Sequence, residues 1–127
     1  MDARMTRGRE AEEMACCYLR EQGFSIRHQR WQHGHKELDI VAEKAQMLHV
    51  IEVRSRSEPY WLAPSDTVDY LKQKNIITAA AAYIRKFHIP HEVQFDIVSI
   101  VFRPQGPELE YIPRAFFPGL QQPRWHS

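Results

Sequence analysis

Two short apolar runs, Glu37-Leu38-Asp39-Ile40-Val41-Ala42 and His49-Val50-Ile51-Glu52-Val53-Arg54, each carry acids among Ile, Val and Leu. Runs of this length and β-branched content read as strands. A carboxylate inside such a strand is costly to bury without a partner. The segment between them, Glu43 to Gln46, is polar and short enough to be a hairpin loop, so the two strands are expected side by side in one sheet. Side chains alternate faces along a strand, which puts Glu37 and Asp39 on one side of the first, and Leu38, Ile40 and Ala42 on the other. In the second strand Leu48, Val50, Glu52 and Arg54 share a face. Asp39 and Glu52 are then expected to meet at one end of adjacent strands, with Arg54 two residues further along. Two carboxylates beside a cation suit Mg²⁺-assisted phosphodiester hydrolysis. The acids hold the metal, the metal activates water and neutralises phosphate, and the cation stabilises developing charge. Taken alone, E-x-R in a strand is an ordinary ion pair; the two acids together make it a candidate site.

At 127 residues the chain is long enough for one domain with a real core and too short for two. With 17 Lys and Arg against 16 Asp and Glu there is no overall basic excess, so any nucleic-acid contact has to rest on a local patch. No apolar run approaches the roughly 20 residues that span a bilayer, and the first residues lack a hydrophobic signal core. A cytoplasmic protein without a membrane partner is expected. Cys16 and Cys17 are adjacent in a helical pattern, where a bridge would be strained, so they are read as thiols. Neither forms a C-x-x-C pair, and His33, His35, His88 and His91 fall in polar connections without a matching Cys or His pair, which speaks against structural zinc.

Helical periodicity predicts a first helix from Thr6 to about Gln22, closed by Gly23. On its wheel Glu12 sits about 100° from Ala11, at the edge of the apolar stripe, while Glu13, at about 200°, faces solvent. Glu12 can therefore reach toward a sheet, or simply lay its stem on the core. Phe24 to Trp31 reads as an edge-like strand, followed by the two acidic strands. A loop from Ser55 to Pro64 holds Arg56, Tyr60 and Trp61, aromatics that either stack on bases or cap the core. A second helix from about Ser65 or Asp69 to Phe87 carries Lys72 and Lys74 near its start and Arg85 and Lys86 near its end. These are candidate phosphate contacts or ordinary solvated charges. Val93 to Phe102 is an apolar strand with Asp96 inside it, Leu109 to Ile112 a short edge strand, and the chain from Pro113 an irregular aromatic tail. The order αβββαβ plus a short strand gives an α/β fold: a mixed central sheet flanked by helices, in a single domain with its core at about 6–112 and its tail at 113–127.

In this order the residues resemble the YraN-like family of bacterial proteins in the PD-(D/E)XK nuclease superfamily, related to archaeal Holliday-junction resolvases. The matching pieces are Gly8-Arg9-Glu10-Ala11-Glu12 with Ala15 and Tyr18-Leu19, Trp31, Glu37 to Ala42, Val50 to Arg56, Val68-Asp69 with Lys72, Phe95 to Val98, and Ile112 to Phe116. The resemblance implies a restriction-endonuclease-like core that cuts or binds DNA with Mg²⁺ (or Mn²⁺). It implies metal ligands at Asp39, Glu52 and Glu12 and a catalytic set of these with Arg54, while Arg56, Lys72 and Lys74 are the candidate DNA contacts, Lys72 also able to supply an ammonium if its helix approaches the site. The chain departs from the pattern at Arg54, where the family usually has Lys; arginine is forked and is no acid or base near neutral pH. Two readings follow: a metal-dependent endonuclease, selective for branched or duplex shape since no module reads base edges, or a non-catalytic binding module on the same scaffold. Symmetric cutting of both strands implies a homodimer.

Overall fold

The computed structural model describes residues 3–57 and 69–118, with side chains from residue 7 onward. Helix α1 spans Ala3–Glu21, starting before Thr6. Gly23, at φ 93°, ends it: its N–H bonds to the Arg20 carbonyl and Phe24 N–H to that of Leu19. This is a Schellman cap, and Phe24 packs into the same buried cluster as Leu19. Strands β1 (Ser25–His33), β2 (Lys36–Lys44) and β3 (Met47–Ser57) follow, then α2 (Tyr70–Phe87), β4 (Val93–Arg103) and β5 (Gly106–Phe116). The sheet order is β1-β2-β3-β4-β5, with β3 and β4 parallel across the α2 crossover and the other neighbours antiparallel. The expected mixed sheet flanked by helices is what forms. Tyr60, Trp61 and Trp125 lie outside the described residues, as does the alternative α2 start at Ser65; within them Asp69 caps α2, its Oδ1 accepting Lys72 N–H at 2.8 Å.

The aromatic tail is shorter than the sequence suggests, because β5 runs through Pro113 to Phe116. Phe95 pairs with Phe116 and Ile97 with Ile112, so residues 113–115 bulge opposite Asp96, with Arg114 at φ 51°. A proline reads as a strand breaker, yet at an edge-strand bulge its missing N–H costs no ladder bond. Phe116 is consequently core, stacked on Phe95 at 5.2 Å between ring centroids.

Each face of the sheet carries one apolar cluster. Leu38, Val41, Leu48, Val50, Phe95 and Ile97 pack under α2 with Ile76, Ala80 and Tyr83. Ile40, Ala42, Ile51, Val98 and Ile100 pack under α1 with Ala11, Ala15 and Leu19. Leu38 therefore does not share a face with Ile40 and Ala42, as strict alternation requires. The same switch appears on β1, where Trp31 and His28 touch Tyr83 of α2 while Gln29 bonds Cys16 of α1. Between the paired positions Gln29–Ile40 and Trp31–Leu38 stand Arg30 and Asp39, and Arg30 is at φ 51°. A left-handed, non-glycine residue costs on the order of 1 kcal/mol and reverses which face its neighbours use. The irregularity sits at the acid picked out from sequence.

Candidate acidic site

Main-chain pairing of β2 with β3 stops at Ile40–Ile51, and one further step of the same register sets Asp39 across from Glu52. There the Asp39 carboxylate reaches across, its Oδ2 accepting Val53 N–H at 2.9 Å. Glu52 lies on β3, the sheet's central strand, and is 1% exposed. Neither of its carboxylate oxygens has a well-aligned hydrogen-bond donor among the described residues, although the Asp39 backbone N–H is near enough to oppose the upward shift of the carboxyl. Lys72, in the first turn of α2, approaches Glu52 Oε1 to 3.7 Å from a half-exposed position. From the other face of the sheet, Glu12 of α1 comes near enough for the Asp39 and Glu37 charges to act on it, held by Arg30 Nη1 at 3.3 Å from its Oε1. The face switch at Arg30 and Asp39 lies between Glu12 on one face of the sheet and Lys72 on the other.

Burial raises all three acids, and the Asp39 charge pushes Glu52 and Glu12 further up. Burial pushes the Glu52 carboxyl up to about 8, and the Asp39 charge adds to this against Lys72 and Arg54. Burial likewise raises Asp39, with Glu37 adding to it, while the Val53 N–H and Lys72 oppose it. Glu12 is raised by burial, partly offset by Arg30, with Asp39 and Glu37 pushing the same way as burial. Glu37, flagged in the sequence only as sharing a side with Asp39, thus belongs to this field.

A stability consequence follows. An unfolded glutamate titrates near 4.5 and folded Glu52 near 8, so between these values the folded state keeps a proton that the unfolded state has released. Stability must therefore fall as pH rises through that window, by up to a few kcal/mol. Thermal melts in EDTA from pH 5 to 9 are expected to show a declining melting temperature, flattened in Glu52→Gln. A wild-type curve that is level or rising would remove the buried acid pair as described.

Of the remaining residues singled out, Arg54 lies near enough for its charge to act on Glu52. Arg56 instead lines a cavity of about 350 Å³ with Arg7, Ser55, Ser57 and Phe102 at the far end of β3. Lys74 turns away, its Nζ over the Tyr70 ring at 5.7 Å, as expected two residues and about 200° round the helix from Lys72. Sequence reasoning missed Arg30, the partner of Glu12; a left-handed arginine leaves no signature in a strand pattern.

As placed, no three His, Cys, Asp or Glu side chains among the described residues stand together as a ligand set for one cation. The pair Asp39 and Glu52 nevertheless fits a hard divalent ion, since Mg²⁺ is commonly held by one or two carboxylates with water completing its shell. Two buried carboxylate oxygens without hydrogen bonds supply the donors such an ion takes.

A mixed five-stranded sheet with an unsatisfied glutamate on its central strand, faced by an aspartate and a helix-borne lysine, defines an α/β protein built around an acidic centre. The chain belongs to the uncharacterised protein family UPF0102, whose model matches residues 11–100, a span containing Glu12, Asp39, Glu52, Arg54 and Lys72. It is similar to a UPF0102 protein of Phocaeicola vulgatus, 44% identical over 113 residues that cover 89% of this chain and 93% of the relative. A Parabacteroides distasonis UPF0102 protein is 43% identical over 110 residues (87% and 91%), and one from Myxococcus xanthus 34% over 114 residues (89% and 90%). No helix among the described residues is long and apolar enough to cross a membrane.

Proposed function

We propose that this protein is a divalent-metal-dependent DNA endonuclease of the PD-(D/E)XK type, acting in the cytoplasm on branched or duplex DNA. The observation that carries the reading is the buried Glu52 carboxylate, without a hydrogen bond beside Asp39 and Lys72. A carboxyl held in that condition gains only from an ion or a proton. Asp39 and Glu52 would hold Mg²⁺ or Mn²⁺, with Glu12 as the third acid. The bound ion supplies Lewis acidity toward a phosphate oxygen and an acidified water. The chain's own residues do the rest. Val53 N–H fixes the Asp39 carboxylate, and Arg30 holds Glu12 toward the sheet. Lys72 offers a compact ammonium near Glu52, where the superfamily's missing lysine charge is needed. Arg54 stabilises negative charge on phosphate without moving a proton. If both strands of a symmetric substrate are cut, two copies act together. Pro107, Pro113 and the charges Glu108, Glu110 and Arg114 on β5 argue against strand-to-strand pairing at that edge.

The second reading, a binding module without chemistry, is favoured by Arg54 and by the near-neutral net charge of +1. The test is cleavage of end-labelled duplex, flap, single-stranded and four-way-junction DNA with Mg²⁺ or Mn²⁺ by wild type and Arg54→Lys. Cleavage by wild type that rises about tenfold in Arg54→Lys is the expected result. Binding without cleavage by either protein would establish the second reading instead.

A further inference from the structure

Between the end of α2 and the β1–β2 hairpin lies an open cleft of about 490 Å³, lined among others by Trp31, His33, Arg85 and Lys86. Its volume falls in the range of ligand sites. The rings of Trp31 and His33, two residues apart on β1, are parallel to within 3° with centroids 6.3 Å apart. Trp31 is braced from behind by edge contacts to Tyr83 at 5.1 Å and Phe87 at 6.3 Å, so its plane is set by the core. Arg85 and Lys86 are both exposed in the last turn of α2. Cations in a last turn are ordinary companions of the helix dipole. A tryptophan plane set by the core, with the exposed His33 ring parallel to it, is not explained by that dipole.

Aromatic planes next to paired cations are the two parts of a single-strand nucleic-acid site: bases stack on the rings and phosphates meet the charges. The cleft shares the β1–β2 ladder with the acidic centre, although its cations stand about 20 Å along α2 from Lys72. Trp31 pairs with Leu38, the neighbour of Asp39, and the Gln32 amide donates to Glu37 at 3.0 Å. Trp31 also lies on the α2 face, the face from which Lys72 approaches Glu52. We infer that this cleft binds an unpaired strand of the nucleic-acid substrate several nucleotides away from the phosphodiester that meets the acids, which makes the substrate a duplex with a single-stranded arm. The inference rests on the nuclease reading for the identity of its substrate, while the binding itself needs no metal.

The experiment is therefore done in EDTA, by fluorescence anisotropy with a single-stranded oligonucleotide and with a blunt duplex of the same length. Arg85→Glu/Lys86→Glu, at exposed positions where only the Lys86 ammonium touches a ring, that of Phe87 at 5.8 Å, is expected to weaken single-strand binding at least tenfold. It should also lower the salt dependence by one to two counterions, with little change for the duplex. A 2-aminopurine base in the oligonucleotide, quenched on stacking, is expected to lose its quench in His33→Ala, an effect that loss of charge alone would not produce. Wild-type failure to bind single strands, or an unaltered double variant, overturns the proposal. So does competition by an acidic peptide but not by DNA, which would assign the cleft to a protein. Cleavage of blunt duplex by wild type, lost in Asp39→Asn, would leave the nuclease reading standing in any of those cases.

Discussion

Asp39→Asn is expected to lower Mg²⁺-dependent cleavage by about a thousandfold or more while leaving the fold intact. Loss of a metal ligand removes several kcal/mol of stabilisation from the transition state, and each 1.36 kcal/mol is tenfold in rate. The substitution is close to isosteric, and an amide oxygen can still accept the Val53 N–H that Asp39 Oδ2 now receives. What disappears is a negative charge beside Glu52, and with it part of the push that raises the Glu52 carboxyl. The metal-free variant should consequently melt at or slightly above the wild-type temperature near neutral pH, by on the order of 1 kcal/mol of added stability. Glu52→Gln should lose cleavage to the same degree. Full cleavage in both variants would exclude the acidic site, and a variant that melts well below wild type in EDTA would make Asp39 a structural ion-pair partner.

Much of that site is legible in the sequence, because its parts announce themselves as exceptions to local rules. Acids among β-branched residues mark Asp39 and Glu52, and a two-residue period with a short polar connection sets them on neighbouring strands. Their juxtaposition one step past Ile40–Ile51 is the register that this pattern requires. The approach of Lys72 to Glu52 was legible only as a condition, that the helix comes to the site: a right-handed β3–β4 crossover fixes the face α2 covers, while its lie over β2 and β1 is set by packing on the apolar cluster of that face. The face of Leu38 and the role of Arg30 were not legible. Both turn on one left-handed backbone conformation, and arginine carries no local preference that would disclose it. The course of β5 was hidden for a related reason. Pro113 reads as a terminator, and only the tertiary demand of a buried carboxylate across the ladder converts it into part of a bulge.

That carboxylate carries the largest expected effect on stability. Asp96 is fully buried, and both its oxygens are in use: Oδ1 accepts from Gln94 Nε2 and Arg114 N–H, each at 2.9 Å, and Oδ2 from His49 Nδ1 at 2.7 Å and Tyr111 Oη at 2.8 Å. Burial alone would raise this carboxyl, but the four hydrogen bonds together win and hold it below the usual carboxylate range. The contrast with Glu52 separates the two buried acids of the sheet: one is satisfied and structural, the other unsatisfied and open to an ion. Asp96→Ala would leave Arg114 N–H, the Tyr111 hydroxyl and His49 facing a void, and would remove what pins the β5 bulge over which Phe116 enters the core. The expected cost is about 3–5 kcal/mol, a large share of the stability of a domain this size, seen as a melting temperature lower by roughly 10 °C or more. The sign in pH is also set. A depressed carboxyl contributes stability that is present above its unfolded value of 3.8 and is lost as pH falls through its lower folded value, so Asp96→Ala should lose part of the wild-type sensitivity to acid. A variant melting within a few degrees of wild type at pH 7 would mean that the four donors find water, and that the bulge is held by Phe116 packing rather than by Asp96.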